Sequence, residues 1–177
     1  MKINSPIVTL GPKGTDAEKV ASKYSNNLIL VESFPKAMEH AFNNKYIACI
    51  CCGYQEIEGD HITNSWVNLH FQYFGKMEII HTVHQKTKPM CVAIRKDCLS
   101  PNSIVLHPST IKLLNIFQIR KDLVIKFVKN KPEAVLKVVD GSFDLCISSL
   151  DIVKRFPILE PLEVFQPQMV WAFYHCS

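Results

Sequence analysis

Apolar and polar residues alternate along the first third of the chain in the pattern of strands separated by amphipathic helices. Short apolar runs at 7–10, 28–32 and 46–51 predict three strands. Apolar residues recur at helical spacing over 16–24, and Ser33 is placed to cap a second helix before the third strand. The order strand, helix, strand, helix, strand is typical of a parallel α/β sheet.

The second part of the chain repeats this arrangement without repeating its sequence. Strands are predicted at 77–83, 90–94, 104–106, 123–128, 143–147, 162–165 and 169–174, and helices at 64–74, 108–117, 131–140 and 148–156. We therefore predict a single α/β domain over 1–177, built from two α/β lobes with a central cleft that would suit a small ligand. Lobe one would hold 1–85 and 158–177, and lobe two 90–155.

Composition and charge narrow the class of ligand. Hydrophobic residues make up 47% of the chain, enough for a packed core, and the formal charge is only +4. No run of basic residues is interleaved with aromatic ones, so we expect no nucleic-acid partner and favour an acidic metabolite. No apolar stretch reaches about 18 residues and the N-terminus lacks the apolar core of a signal peptide, so we expect a cytoplasmic protein with no membrane association.

The cysteines and histidines do not predict a metal site. The seven cysteines show no disulfide spacing and are expected to be reduced thiols. Cys49, Cys51 and Cys52 lie close in sequence, but on a strand Cys52 points away from the other two. His81 and His84 are predicted to face opposite sides of an extended segment. A metal is the less favoured interpretation, and we expect neither a metal nor a cofactor.

The turn after the first strand is a candidate anion site. Gly11, Pro12, Gly14 and Thr15 lie between that strand and a helix that opens with the capping-box pattern Thr15-x-x-Glu18. Glycine permits a tight turn and leaves the backbone N–H groups at the helix start open to an anion. An ordinary strand-to-helix turn without a ligand is equally consistent with these residues.

Further polar residues follow other predicted strands. Gln55 and Glu56 lie in a predicted polar loop at 53–59, just past the third strand, where open α/β sheets bind ligands. A solvated loop is the alternative. Hydroxyl groups are also predicted at helix starts, where plain N-capping is the favoured role for each one taken singly. They belong to Ser109, Thr110 and Ser149.

Three segments resemble motifs of the prephenate dehydratases and occur in the same order. They are Leu10-Gly11-Pro12-Lys13-Gly14-Thr15, Val105-Leu106-His107-Pro108-Ser109 and Asp144-Leu145-Cys146-Ile147-Ser148-Ser149. Lys13 stands where an acidic residue is more usual in that family. The resemblance covers essentially the whole chain and implies a fold of two α/β lobes like that of a periplasmic binding protein.

The chain departs from the dehydratase pattern at two places. The family's terminal Thr-Arg-Phe signature, whose Thr is thought to protonate the leaving hydroxyl, is replaced at 168–174 by a segment with neither Thr nor Arg. Residues 54–56 stand where Glu-Asn-Ser is usual. A smaller branch, the prephenate decarboxylases of bacilysin-type dihydroaromatic antibiotic pathways, has the same losses. The segments that resemble this branch are 87–95, 107–109, 138–141 and 169–171.

The resemblance implies an enzyme that takes prephenate as its small-molecule substrate and decarboxylates it without aromatisation, giving a dihydro-4-hydroxyphenylpyruvate. The candidate proton donors are His107, or a water that it positions, and Glu56; a structural role in the turn is the alternative for His107. Trp171 would occupy the space of the missing Thr, with a plain core position as the alternative. The candidate substrate-binding residues are Gly11, Pro12, Gly14, Thr15, Gln55, Met90, Ser109, Thr110, Ser149 and Trp171.

Two other functions stay open. A prephenate dehydratase giving phenylpyruvate fits the fold but lacks the Thr-Arg pair. A non-catalytic small-acid-binding module would bind the same ligand without turnover. We expect no regulatory amino-acid-binding domain in this chain, and the resemblance leaves a homodimer open.

Overall fold

The chain folds into two compact units, and each contains one five-stranded sheet. The computed structural model describes residues 3–58, 61–117, 119 and 122–177. Unit 1 comprises Met1–Tyr54, Asn64–Lys86 and Gln168–Ser177, and unit 2 comprises Gln55–Thr63 and Thr87–Pro167.

Strands and helices alternate through most of the described residues. The strands are β1 (Ile7–Leu10), β2 (Leu28–Val31), β3 (Ile47–Cys51), β4 (Gln55–Glu58), β5 (His61–Ser65), β6 (Met77–Lys86), β7 (Met90–Arg95), β8 (Ser103–Leu106), β9 (Val124–Phe127), β10 (Leu145–Ser149), β11 (Leu159–Phe165) and β12 (Gln168–Cys176). The helices are α1 (Asp16–Ala21), α2 (Phe34–Asn44), α3 (Trp66–Gln72), α4 (Leu113–Ile116), α5 (Lys131–Val139) and α6 (Leu150–Val153), and a 3-10 turn spans Pro108–Thr110.

The sheet of unit 1 has the strand order β2-β1-β3-β12-β6. Strand β1 lies parallel to β2 and β3, as the sequence pattern predicts, and β12 runs antiparallel to both β3 and β6. The β-branched residues Ile7 and Val8 are fully buried in β1, which lies inside the sheet between β2 and β3. Ala37, Met38 and Ala41 of α2 join the same core, so the sheet is covered by a helix whose inner face is small and apolar.

The sheet of unit 2 has the strand order β11-β7-β10-β8-β9. Strand β8 is parallel to β10 and β9, while β7 is antiparallel to β10 and β11. Buried side chains pack on both faces of this sheet, with Val105 and Cys146 in one cluster and Leu106 and Ile147 in another. In both sheets, three parallel strands are followed by an antiparallel fourth strand, and the fifth strand is antiparallel to the fourth. This shared arrangement confirms the predicted repetition of architecture.

The predicted loop at 53–59 is wrong over 55–58, where strand β4 pairs with β5 in a two-stranded sheet. Ile57 is buried while Glu56 and Glu58 are exposed, which is the alternation of a strand with one covered face. Residue 59 lies outside the described residues. A four-residue strand with two glutamates carries too little hydrophobic signal to be distinguished from a loop.

The segment 158–167, predicted in lobe one, lies in unit 2 because β11 pairs with β7. The register shifts between Pro161 and Glu163. A proline cannot donate a ladder hydrogen bond and is tolerated on an edge strand, which β11 is.

The helix predicted over 108–117 is divided into the 3-10 turn and α4. Across the described ranges, no helix combines the length and apolar character needed to cross a membrane.

Candidate functional site

One edge of the unit 2 sheet collects three of the residues that the sequence singles out. The parallel strands β8 and β10 end at this edge, and the antiparallel strand β7 begins there. Met90 at the start of β7 stands opposite Ser149 at the end of β10. His107 directly follows β8, the neighbour of β10. We call this edge, with the turn after β8 and the start of α5, the unit 2 edge.

The turn after β8 is built around the ring of His107. Its Nδ1 atom lies 2.7 Å from Oγ of Ser109 and accepts the backbone N–H of Ser109 at 3.3 Å. The hydroxyl of Thr110 donates to the carbonyl of His107 at 2.6 Å. Pro108 occupies the first position of the 3-10 turn, where its missing N–H leaves no donor unsatisfied. Three predicted site residues therefore form one hydrogen-bonded turn.

These contacts define which nitrogen of His107 carries the proton. Because Nδ1 accepts an amide N–H, the proton of the neutral ring is on Nε2. The backbone of Gln55 also hydrogen bonds to this ring and raises its pKa, so the Gln55 carbonyl is the acceptor. Strand β4 accordingly lies against the 3-10 turn. The predicted residue Gln55 thus meets His107 through its backbone.

The pKa of His107 is lowered from its ordinary value of 6.5. Burial is the main cause, since it penalises the imidazolium, and the positive charge of Lys131 is the second. The hydrogen bond to Gln55 opposes both but does not reverse the shift. The ring is therefore neutral at physiological pH.

Lys131 is a residue of the unit 2 edge that the sequence analysis did not select. It is the first residue of α5, after the Asn130 cap. Its Nζ atom donates to Sδ of Met90 at 3.6 Å, and its carbonyl accepts the hydroxyl of Ser148 at 3.0 Å. The sequence does contain one signal that distinguishes Lys131. A cation in the first turn of a helix is locally unfavourable, because it lies at the positive end of the helix dipole.

Ser149 and Glu56 differ in exposure: Ser149 is buried and Glu56 is exposed. Ser149 is 9% exposed and precedes α6, but its side chain makes no capping bond. Its hydroxyl was predicted at a helix start and is found there without the capping role. Glu56 is exposed and lies on the opposite face of β4 from the buried Ile57.

The predicted anion turn lies in unit 1, between β1 and α1. The capping box is confirmed in that the Thr15 hydroxyl accepts the N–H of Glu18 at 3.2 Å and also donates to the Leu10 carbonyl at 3.1 Å. The Glu18 carboxylate in turn accepts the N–H of Gly14 at 3.1 Å. Gly14 has a φ of 90°, a conformation that favours glycine. A carboxylate of the chain itself therefore occupies the position predicted for a ligand.

Trp171 lies in the core of unit 1. It is 4% exposed and stands between Cys51 of β3 and Val83 of β6 in the sheet. Its ring contacts Phe34 edge to face, with the ring centroids 6.4 Å apart. These are the surroundings of a core aromatic, the alternative that the sequence left open.

The chain has the mixed α/β fold shared by prephenate dehydratases and periplasmic ligand-binding domains. The prephenate dehydratase from Arthrobacter aurescens, solved with L-Phe, superposes with a TM-score of 0.63 at 12% identity, over 97% of this chain and 60% of that one. The periplasmic VFT2 domain of Bordetella pertussis BvgS gives a TM-score of 0.57 at 12% identity, over 97% and 80%.

The sequence itself is similar to that of prephenate decarboxylase from Bacillus subtilis (strain 168). The two are 26% identical, over 80% of this chain and 72% of that protein. No family model matches the chain. The resemblance to the prephenate dehydratase-like proteins that the motifs predict is confirmed by this match and by the shared fold. The chain spans about three fifths of the length of the Arthrobacter enzyme.

The lowered pKa of His107 predicts how stability depends on pH. The unfolded chain binds a proton at this site more readily than the folded one. The stabilisation from a neutral His107 is therefore complete above the ordinary pKa of 6.5 and is lost as the pH falls below it. Urea unfolding at about pH 7.5 and about pH 5.5 should show the wild type losing stability, and His107→Gln losing less.

The exposed His61 of β5 provides the control for this measurement. His61→Gln should keep the full wild-type loss of stability on acidification. If His107→Gln also keeps it, the ring is not held neutral by its surroundings.

Proposed function

We propose that this protein binds prephenate and decarboxylates it without forming an aromatic ring. The product would be a dihydro-4-hydroxyphenylpyruvate, made for a dihydroaromatic secondary metabolite of the bacilysin and anticapsin type. The observation that carries the proposal is the similarity to the Bacillus prephenate decarboxylase, which extends over most of both chains. The absence of Thr and Arg from 168–174 favours this reaction over dehydration.

The reaction asks little of the protein beyond binding and protonation. The bond between the ring and its carboxylate breaks, carbon dioxide leaves, and the electron pair of that bond moves into the ring diene. A ring carbon then takes a proton and the ring hydroxyl stays in place. The diene itself accepts the electrons, so the step is complete with a proton source and without an organic electron sink.

The hydrogen bonds of His107 favour a positioning role over direct proton transfer. Its Nδ1 is held by Ser109, its ring also interacts with the backbone of Gln55, and a neutral imidazole is a weak acid. In this proposal His107 fixes Ser109 and strand β4 at the unit 2 edge. The proton comes from a water held there, and Glu56 is the alternative donor.

Ser109 suits the role of a carboxylate ligand. It is exposed, and two donors, its hydroxyl and its N–H, compete for the single lone pair of His107 Nδ1. The hydroxyl can therefore turn to a substrate carboxylate while the N–H keeps the ring nitrogen satisfied. In unit 1 the proposed carboxylate ligand is the N–H of Gly14, where substrate would replace the Glu18 carboxylate, and Thr15 holds that turn through its bonds to Leu10 and Glu18. The absence of the Thr leaves no acid there to protonate the ring hydroxyl, so the hydroxyl stays in place.

The product of prephenate turnover tests the reaction. Purified protein incubated with prephenate, followed by ultraviolet absorbance and proton NMR, should yield a non-aromatic pyruvate that retains the ring carbinol proton. A reaction without protein corrects for spontaneous aromatisation. Phenylpyruvate above that background would instead identify a dehydratase. Saturable binding without any product would identify a non-catalytic binding module.

Substitution of the hydroxyl residues tests the binding assignment. Ser109→Ala should raise KM by roughly ten- to 100-fold, because it loses one hydrogen bond to a carboxylate. Thr15→Val should also raise KM, because it loses the bonds that hold the Gly14 turn. Ser142→Ala is the matched control in unit 2, since Ser142 is exposed and outside the unit 2 edge. Unchanged KM values in both test variants, with the circular dichroism spectrum preserved, would remove these residues from the site.

A further inference from the structure

We propose that the outer face of α3 is a contact surface through which two copies of this chain associate. The surface consists of Val67 and Phe71 of α3, Phe74 of the following turn and Ile79 of β6, and we call it the α3 patch. All four residues belong to unit 1. The association is independent of the substrate and of the reaction.

The side chains of α3 divide into a buried face and an exposed face. Leu69 is 1% exposed and Tyr73 is 9% exposed, and both pack in the core of unit 1. Val67, Phe71 and Phe74 are 47%, 66% and 79% exposed. The Phe74 N–H donates to the Phe71 carbonyl at 3.2 Å, so the helical turn continues to Phe74. The spacing i, i+4, i+7 then places these three apolar side chains along one outer stripe.

The edge strand β6 adds Ile79 to this stripe. The hydroxyl of Tyr174 lies 3.2 Å from Nδ1 of His70 in α3, so α3 covers the face of the sheet from which Tyr174 projects. Ile79 stands opposite Tyr174 in the sheet, and its side chain therefore lies on the same face. It is 38% exposed, because β6 is the outermost strand. The stripe of α3 and Ile79 thus lie on one side of unit 1.

The composition of this segment is that of a protein interface. No Asp, Glu, Lys or Arg occurs from 64 to 75, whereas charged residues make up 20% of the whole chain. The cores of protein interfaces are depleted in charged residues and enriched in aromatic ones. Helices that lie on membranes carry Lys and Arg on their polar face, and α3 has neither. A protein partner therefore fits the α3 patch better than a lipid surface does.

A second copy of the same chain suits an uncharged patch. In a two-fold contact the same surface is used on both chains, so a charged patch would repel its own copy and an uncharged one does not. If two α3 helices lie antiparallel and cross near Phe71, Val67 of each copy meets Phe74 of the other. A small side chain then faces a large one at both ends of the contact.

The exposed apolar area agrees with what a dimer needs. At about 150–200 Å² for a fully exposed ring, Phe71 and Phe74 together expose roughly 250 Å². Val67 and Ile79 bring the apolar area to roughly 400 Å², within the range of patches that serve as interaction sites. A stable dimer buries about 800 Å² on each partner, of which somewhat more than half is apolar. The α3 patch supplies most of that apolar share.

The geometry of β6 opposes joining of the two sheets as the mode of contact. Phe173 and Tyr174 are consecutive on β12, but their partners on β6 are His81 and Ile79. Ile80 is therefore the extra residue of a bulge in the edge strand. Such a bulge interrupts the row of backbone groups that another strand would need for pairing. The two copies accordingly meet through the side chains of the α3 patch.

Sedimentation velocity of the full chain over a range of concentrations tests this proposal. The wild type should sediment as a dimer at micromolar concentration. Phe71→Glu should raise the dissociation constant of the dimer by more than about 30-fold, because it removes a central aromatic ring from both sides of the contact. Circular dichroism checks that the variant is folded. If Phe71→Glu does not fold, Phe71→Ser provides the same test without a new charge.

Leu136→Glu is the matched control, because Leu136 is 54% exposed on a helix of unit 2. It should leave the dimer intact. Dissociation of Leu136→Glu to the same extent as Phe71→Glu would overturn the assignment to the α3 patch. A monomeric wild type would overturn the proposal as a whole, whether or not it binds anionic vesicles or another protein.

A mixture of two variants tests the antiparallel arrangement. Val67→Glu and Phe74→Lys should each be monomeric alone, because each places a charge against an apolar side chain of its partner. Mixed in equal amounts, they should form a dimer. The introduced carboxylate of one chain then meets the introduced ammonium of the other, while the unchanged Phe74 meets the unchanged Val67. A mixture that stays monomeric would overturn the proposed contact.

Discussion

The ring of His107 is hydrogen bonded to Ser109 at Nδ1 and also interacts with the backbone of Gln55. These bonds constrain more than the ring. They fix the conformation of the turn after β8 and hold β4 against it, while burial of the ring lowers the pKa of His107 and keeps the imidazole neutral. The positive charge of Lys131 in α5 also lowers the pKa of His107, because it disfavours a second positive charge on the nearby ring. The unit 2 edge therefore carries a neutral ring that holds the backbone and hydroxyl of Ser109.

The sheet determines which residues can meet around this ring. Because β8 and β10 are parallel, the residues that follow them emerge at the same edge, and the antiparallel β7 brings Met90 there from its first position. Residues far apart in sequence thus lie side by side without any long loop. The sheet of unit 1 has the same arrangement, and its first strand leads into the Gly14 turn. There the Glu18 carboxylate already accepts the N–H that a ligand would use.

Local chemistry made much of this fold predictable from sequence. The predicted caps Ser33, Asn130 and Thr15 all accept the expected backbone N–H, because capping depends on residues within one turn. Features that depend on distant partners were missed. The edge strand β11 was assigned to the wrong unit because Pro161 interrupts its pattern and only its pairing with β7 identifies its place.

The candidate site was predictable to a similar extent. Met90, His107, Ser109, Thr110 and Ser149 were selected in advance and lie at the unit 2 edge, since strand ends and helix starts have sequence signals. Gln55 was selected for the wrong reason, because it contributes its backbone from a strand that the sequence did not predict. Lys131 was not selected because a lysine beside a helix cap resembles an ordinary surface residue, and its position near Met90 and His107 depends on distant parts of the chain.

The central claim is that His107 is neutral, with its proton on Nε2 and Nδ1 accepting from Ser109. Nitrogen-15 NMR of protein labelled at histidine measures this directly, with His107→Gln used to assign the signals. We expect one proton-bearing nitrogen, at Nε2, and an unprotonated Nδ1 at neutral pH. A doubly protonated ring, or a proton on Nδ1, would contradict it.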